Sequence, residues 1–192
     1  MSRCLAFLLV CVSSAAFAQT YPARPIRVII PFPAGSAADI IVRAMDPQMR
    51  EKLGQSLVID NRGGAGGNIA AELTAKSVPD GYTIMMATIG THAINHSLYS
   101  RISFHPIRDF TPVALVGESP NALVTSPRVQ ANSIHDLIAL AKARPGQMNY
   151  GSSGSGTTVH LSGELFSVMT EIRMVHVPYK GATEALTGLL AG

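Results

Sequence analysis

The sequence predicts an α/β protein with largely parallel sheets, and three observations carry that expectation. Short apolar runs alternate with helical patterns from Ile26 onward. Three glycine-rich turns, Ala34-Gly35-Ser36, Gly63 to Gly67 and Gly151 to Gly156, stand where an apolar run hands over to a helix. Turn signals such as Pro79-Asp80-Gly81 separate the segments. The chain has 192 residues, 47% of them hydrophobic, which is enough for a sizeable core.

Taken in order, "IRVIIPF" (26–32) reads as a buried strand. Ala37 to Leu53 reads as a helix with Ile40, Ile41, Ala44, Met45, Met49 and Leu53 on one broad face. Pro47 is expected to kink or split that helix, because proline lacks the amide donor and crowds the preceding turn. "SLVID" (56–60) is a second strand, "NRGGAGGN" (61–68) a glycine loop, and Ile69 to Lys76 a short helix. "YTIMMAT" (82–88) is a third strand after the Asp80-Gly81 turn. The two prolines of "FHPIRDFTP" (104–112) mark a connector. "PVALVGE" (112–118) and "NALVTS" (121–126) read as two further strands with Ser119-Pro120 as the turn. Ser133 caps a helix to Ala143, which Pro145-Gly146 ends. "MNYGSS" (148–153) is a strand running through a glycine turn into a helix, "MVHVPY" (174–179) another strand, and "ATEALTGLLAG" (182–192) opens a last helix. Two α/β units follow, 19–104 and 105–192.

The first residues set the compartment. Arg3 supplies a positive start, Leu5 to Val12 an apolar core, and Ala16-Phe17-Ala18 a cleavage site, the pattern of a secretory signal peptide spanning 1–18 and cut after Ala18. The apolar run is too short to span a bilayer. Bulky Val10 before Cys11 argues against lipidation. Both cysteines, Cys4 and Cys11, lie in this segment, so the expected mature chain holds no disulfide and no cysteine-bound metal. That suits a bacterial periplasmic protein better than a small stapled secreted domain. Removing 18 residues from 192 leaves 174, and losing Arg3 leaves 14 basic against 12 acidic residues. The basic residues are scattered, so no nucleic-acid footprint is present.

Several motif readings fail on single residues. "GSSGSGTT" has P-loop spacing, but Thr157 stands where lysine is required. The dinucleotide fingerprint fails because Ile69 replaces the third glycine of the Gly64-Ala65-Gly66 run. The nucleophile elbow fails because Ser155 follows Ser153 by two. What remains is a set of hydroxyls and backbone N–H groups at helix N-termini, suited to a carboxylate. Asp39 either caps its own helix or meets an ammonium on a ligand. His92 and His96 have i, i+4 spacing, but Ala93 replaces the glutamate of a zinc-protease helix. His160 either points into a cleft or satisfies a neighbouring carbonyl. Tyr179-Lys180 forms a cleft floor or simply a turn.

Together, "PFPAGSAAD" followed by Arg43, "NRGGAGGNI", "PDGYT", "MNYGSSGSGTTVHL" and "VPYKGATEAL" resemble the Bug-type, TctC-like periplasmic receptors of tripartite tricarboxylate transporters. The resemblance runs in order from Tyr21 to the last residue. It implies a type II periplasmic-binding-protein fold, two α/β domains around a ligand cleft, with no chemistry and no cofactor or metal. It also implies a small carboxylate ligand, membrane transporter subunits as partners, no nucleic acid, and a monomer when full length. The ligand residues it implies are Phe32, Ala34, Gly35, Ser36 and Asp39 from the first strand–helix turn. Ser152, Gly154, Gly156, Thr157, Thr158 and His160 come from the second. The opening turn is thereby expected to leave its amides free for a carboxylate. Ser36 departs from the family, which usually has a second glycine there.

Two complete α/β domains need about 100–150 residues each. The chain is therefore expected to be a fragment whose second domain and hinge return are incomplete. The alternatives are a secreted serine hydrolase using the Ser152 to Ser155 loop, and the effector domain of a transcription regulator. No helix-turn-helix is visible for the latter.

Overall fold

The computed structural model describes residues 20–192. The expected signal peptide lies outside the described residues. Among the described residues, no helix is long and apolar enough to cross a membrane.

The strands form two parallel sheets. The first has the order β2-β1-β3, with β1 at Ile26–Ile30, β2 at Leu57–Asn61 and β3 at Thr83–Met85. β1 pairs with both neighbours, Ile26 opposite Leu57 and Arg27 opposite Thr83. A central parallel strand has layers on both faces and so reads as a continuous apolar run. Ile26, Val28, Ile29 and Ile30 are accordingly all buried. The second sheet pairs β4 (Met148–Ser152) with β5 (Met174–Pro178), Tyr150 opposite His176.

Helix α1 (Ala37–Leu53) covers the first sheet, and Val42 joins Val28 and Ile30 in the core beside Ala38, Leu57, Ile59, Ile84 and Met86. The buried face differs from the expected one. Val42 and Asp39 point inward, whereas Ile40 is 58% exposed and Met45 is also on the surface. Asp39 is the cause: its carboxylate reaches Gly35 and Asn61 at the sheet edge, which turns its side of the helix inward. Ile40, about 100° further round, then faces out. Nor does Pro47 split α1, which runs unbroken to Gly54, whose N–H donates to the Arg50 carbonyl. Pro47 sits on the exposed side, where the carbonyl it leaves unbonded is open to hydration.

Helix α2 (Asn68–Ala75) buries Ala70 and Ala71. After β3, a π-helical turn (Gly90–Ile94) leads into the short helix α3 (Asn95–Leu98). Helix α4 (Ile134–Ala143) is capped by Ser133, whose Oγ accepts the Asp136 N–H at 3.1 Å. Helices α5 (Thr158–Thr170) and α6 (Ala182–Ala191) follow β4 and β5.

The two strands expected over 112–118 and 121–126 do not form. That stretch carries no regular structure, and Val113 and Leu115 are 89% and 81% exposed. β-propensity is a preference for a pleated, paired surface and yields no strand without a ladder partner. No described segment pairs with it.

Candidate functional site

The expected ligand residues gather at the carboxyl ends of β1 and β4, where helix N-termini and bare loops form the crevice of a parallel sheet. After β1, the chain turns through fully buried Pro31 and half-buried Phe32 to Ser36, the N-cap of α1, whose Oγ accepts the Asp39 N–H at 3.4 Å. Asp39 holds the whole turn. Its carboxylate accepts the Gly35 N–H at 2.9 Å, the Arg43 Nε–H at 2.9 Å and the Asn61 amide at 3.1 Å. The same Asn61 amide also donates to the Phe32 carbonyl at 3.0 Å. The Arg43 guanidinium, with the Gly35 and Asn61 donors, outweighs burial and holds the Asp39 carboxyl at about 2. Between its two readings Asp39 is therefore the structural cap. The Gly35 amide, expected to be free, already has an acceptor.

After β4 the second turn is built the same way. Ser152 is completely buried, its Oγ accepting the Gly154 N–H at 3.1 Å and lying 2.6 Å from His176 Nε2. The Gly156 N–H donates to His160 Nδ1 at 3.3 Å, so this amide too is occupied. His160 therefore serves the turn's own backbone. Thr157 is the N-cap of α5: its hydroxyl donates to the Gly154 carbonyl at 2.7 Å and accepts the His160 N–H at 3.3 Å. Replacing Thr157 by alanine is expected to lower stability by about 1 kcal/mol, while serine retains most of it. Thermal melts of the two variants check this.

With those amides taken, donors remain in the first helical turns. The N–H groups of Ala37 and Ala38 in α1 and of Thr158 and Val159 in α5 precede the i→i−4 ladder. They have no protein acceptor among the described residues. Two helix N-termini thus open from neighbouring turns, each carrying a partial positive charge.

The turns are joined rather than separate. An added Cβ at Gly66 would lie 2.2 Å from the Ser155 carbonyl oxygen, and one at Gly181 would lie 2.7 Å from Pro33. Tyr99 Oη donates to the Ser155 carbonyl at 2.9 Å. Asn95, fully buried, donates from Nδ2 to the Gly66 carbonyl at 3.1 Å and to Asn68 Oδ1 at 2.7 Å, while its Oδ1 has no partner and faces Gly156. The residues from the two turns therefore meet through Gly66, Asn95, Tyr99 and Gly181. The groove of about 340 Å³ nearest them is lined by Ala65, Asn68, Tyr99 and Arg101, and includes none of the expected ligand residues.

Asn61, Asn95, Tyr99 and His176 escaped the sequence reading. Asn61 and His176 were within reach of it, since each lies on a strand beside the turn it braces. Asn95 and Tyr99 act across more than 25 residues of chain, and only the folded backbone brings them in. His92 and His96 turn to separate neighbours, His92 to Thr91 Oγ1 at 2.8 Å and Phe110, and His96 to the ring of His105. The hydrolase alternative gains nothing from the serine–histidine contact. Ser152 is inaccessible, its oxygen is already engaged, and the nearby Glu164 carboxylate lies against His160 and Tyr150.

The architecture is that of periplasmic binding proteins: BugD superposes on the chain with a TM-score of 0.77 and 29% identity, over 88% of this chain and 56% of that one. R. palustris Rpa4515 with adipate matches with a TM-score of 0.85 and 41% identity, over 88% of this chain and 56% of that one. MatC (Rpa3494) from Rhodopseudomonas palustris with bound malate matches with 0.82 and 30%, over 88% and 57%. The chain belongs to the tripartite tricarboxylate transporter family of receptors (TctC), whose profile matches residues 41–192. Protein BugT of Bordetella pertussis is 39% identical over 198 residues, covering all of this chain and 61% of BugT. A protein from the tcbD-tcbE intergenic region of Pseudomonas sp. strain P51 is 37% identical, over 91% of this chain and 52% of its own length. The chain thus spans between about half and three-fifths of the curated relatives it matches.

Proposed function

We propose that this chain belongs to a periplasmic receptor that binds a small carboxylated solute and delivers it to a tripartite tricarboxylate-type membrane transporter. It acts as a monomer in its full-length form and performs no chemistry of its own. The observation that carries this reading is the pair of helix N-termini, α1 after β1 and α5 after β4, opening from turns that touch through Gly66 and Ser155. Family membership and relatives solved with adipate and malate support a carboxylate as the ligand. The α/β units 19–104 and 105–192 are the two walls of the cleft. The proposed contacts are the first-turn amides of α1 and α5 together with the hydroxyls of the second turn other than those of Ser152 and Thr157, which bond within the turn.

A thermal-shift screen of di- and tricarboxylates, including adipate and malate, tests the reading. Saturating ligand at about 100 times its Kd raises stability by about 2.7 kcal/mol. Absence of any shift across the panel removes the proposal. Neutral donors also predict that no single lysine or arginine truncation outside the Asp39–Arg43 pair abolishes binding, and that salt acts only modestly. Loss of all affinity in one such alanine variant overturns the clamping mechanism.

A further inference from the structure

We infer that His176 is a positioning residue: it fixes Ser152, and through Ser152 the amide of Gly154, so that the second turn holds the first turn of α5 toward an anion. This rests on the receptor reading above. Tyr150 and Ser152 are two apart on β4 and share a face, and His176 lies opposite Tyr150 on β5. The imidazole is stacked against Tyr150 at 4.9 Å between centroids and against His160 at 4.1 Å. Stacking leaves the ring little rotational freedom, and its Nε2 meets Ser152 Oγ at 2.6 Å.

The direction of that bond follows from the inventory of donors. Ser152 Oγ has two partners among the described residues, the Gly154 N–H and His176 Nε2; a protonated Nε2 would leave the hydroxyl hydrogen of this fully buried serine without an acceptor, so that hydrogen goes to Nε2. His176 must then be the neutral tautomer with its hydrogen on Nδ1. The titratable groups against this ring are Tyr150 of β4 and His160 and Glu164 of α5. Burial, and then the neighbouring His160, push the His176 ring below its ordinary value, which keeps the lone pair available. His160 adds a second prop to the same turn by accepting the Gly156 N–H. A phenylalanine would fill the stack equally well. It would, however, leave the Ser152 hydroxyl without its partner.

The test uses the 192-residue chain with three variants: His176→Phe, which keeps the ring, His176→Gln, which keeps an acceptor, and Ser152→Ala. Nitrogen-15 NMR of the unaltered chain near neutral pH is expected to find Nε2 unprotonated; a hydrogen there overturns the inference. Amide exchange at Gly154 is expected to speed up about tenfold or more in His176→Phe and in Ser152→Ala. The double variant should go no further, because the two side chains act in series. His176→Gln is expected to restore protection, and adipate affinity to follow the same order. Unchanged exchange in both single variants, with far-UV circular dichroism intact, overturns it as well. If the unaltered chain binds no carboxylate, the receptor reading falls alone, since tautomer and exchange decide the role of His176 without ligand.

Discussion

Replacing Gly156 by valine is expected to weaken carboxylate binding at least about tenfold, equivalent to about 1.4 kcal/mol. Gly156 has φ +83°, and an added Cβ would lie 2.0 Å from Asn95 Oδ1 and 3.2 Å from Leu98 Cδ2. A branched residue at positive φ costs about 1–3 kcal/mol in backbone strain alone. The contact with Asn95 adds to this, because that side chain is anchored to Gly66 and Asn68 and has no room to withdraw. The second turn must therefore retreat from the first sheet, taking the N-terminus of α5 with it. Gly117→Val is the matched control, since a Cβ there meets nothing within 4 Å. Calorimetric titration of both variants, with circular dichroism to confirm folding, separates the effects. Unchanged affinity in Gly156→Val removes this turn from the site.

What the sequence revealed and what it hid follow from the range of the interactions. The α/β class, the ends of α1 and the Ser133 cap depend on local periodicity and on a side chain three residues from the amide it bonds, whereas Ser36 and Thr157, read as ligand residues, prove to be caps of the same kind. The first three were legible. The orientation of α1 was not, because apolar residues lie on more than one of its sides and the choice was made by Asp39 reaching Asn61, 22 residues away. The segment 112–126 misled for the opposite reason: its composition favours strands, but a strand is a pairing, and pairing partners cannot be read from composition. At the site, glycine turns and hydroxyls correctly marked two helix N-termini. The inference that their glycine amides were vacant was wrong at Gly35, Gly154 and Gly156. Each already has an acceptor, in Asp39, Ser152 and His160. A glycine in a turn says where backbone can be approached, and only the folded partners say which amides remain unspent.

The other large effect is expected at Asp39. Asp39 is 2% exposed, and its carboxylate joins three donors, the Gly35 N–H, the Asn61 amide and the Arg43 guanidinium. Asp39→Ala leaves all of them without that acceptor at the mouth of α1, and is expected to destabilise the chain by about 3 kcal/mol. Asp39→Asn preserves shape and one acceptor oxygen, so its loss should be about half as large. The pH dependence distinguishes charge from shape. The folded carboxyl titrates at about 2 against an ordinary 3.8, a lowered value, so its contribution is complete above about 4. That contribution declines as the pH falls through the folded value. Urea melts of the unaltered chain should therefore lose stability between about pH 4 and pH 2 more steeply than those of Asp39→Asn, which has no charge there to lose. Because Asp39 also fixes Gly35 and Phe32 through Asn61, the variant should bind carboxylates more weakly at neutral pH even where it remains folded. Equal acid slopes in the two proteins would show that hydrogen-bond shape alone holds the turn, and that the charge on Asp39 contributes nothing to it.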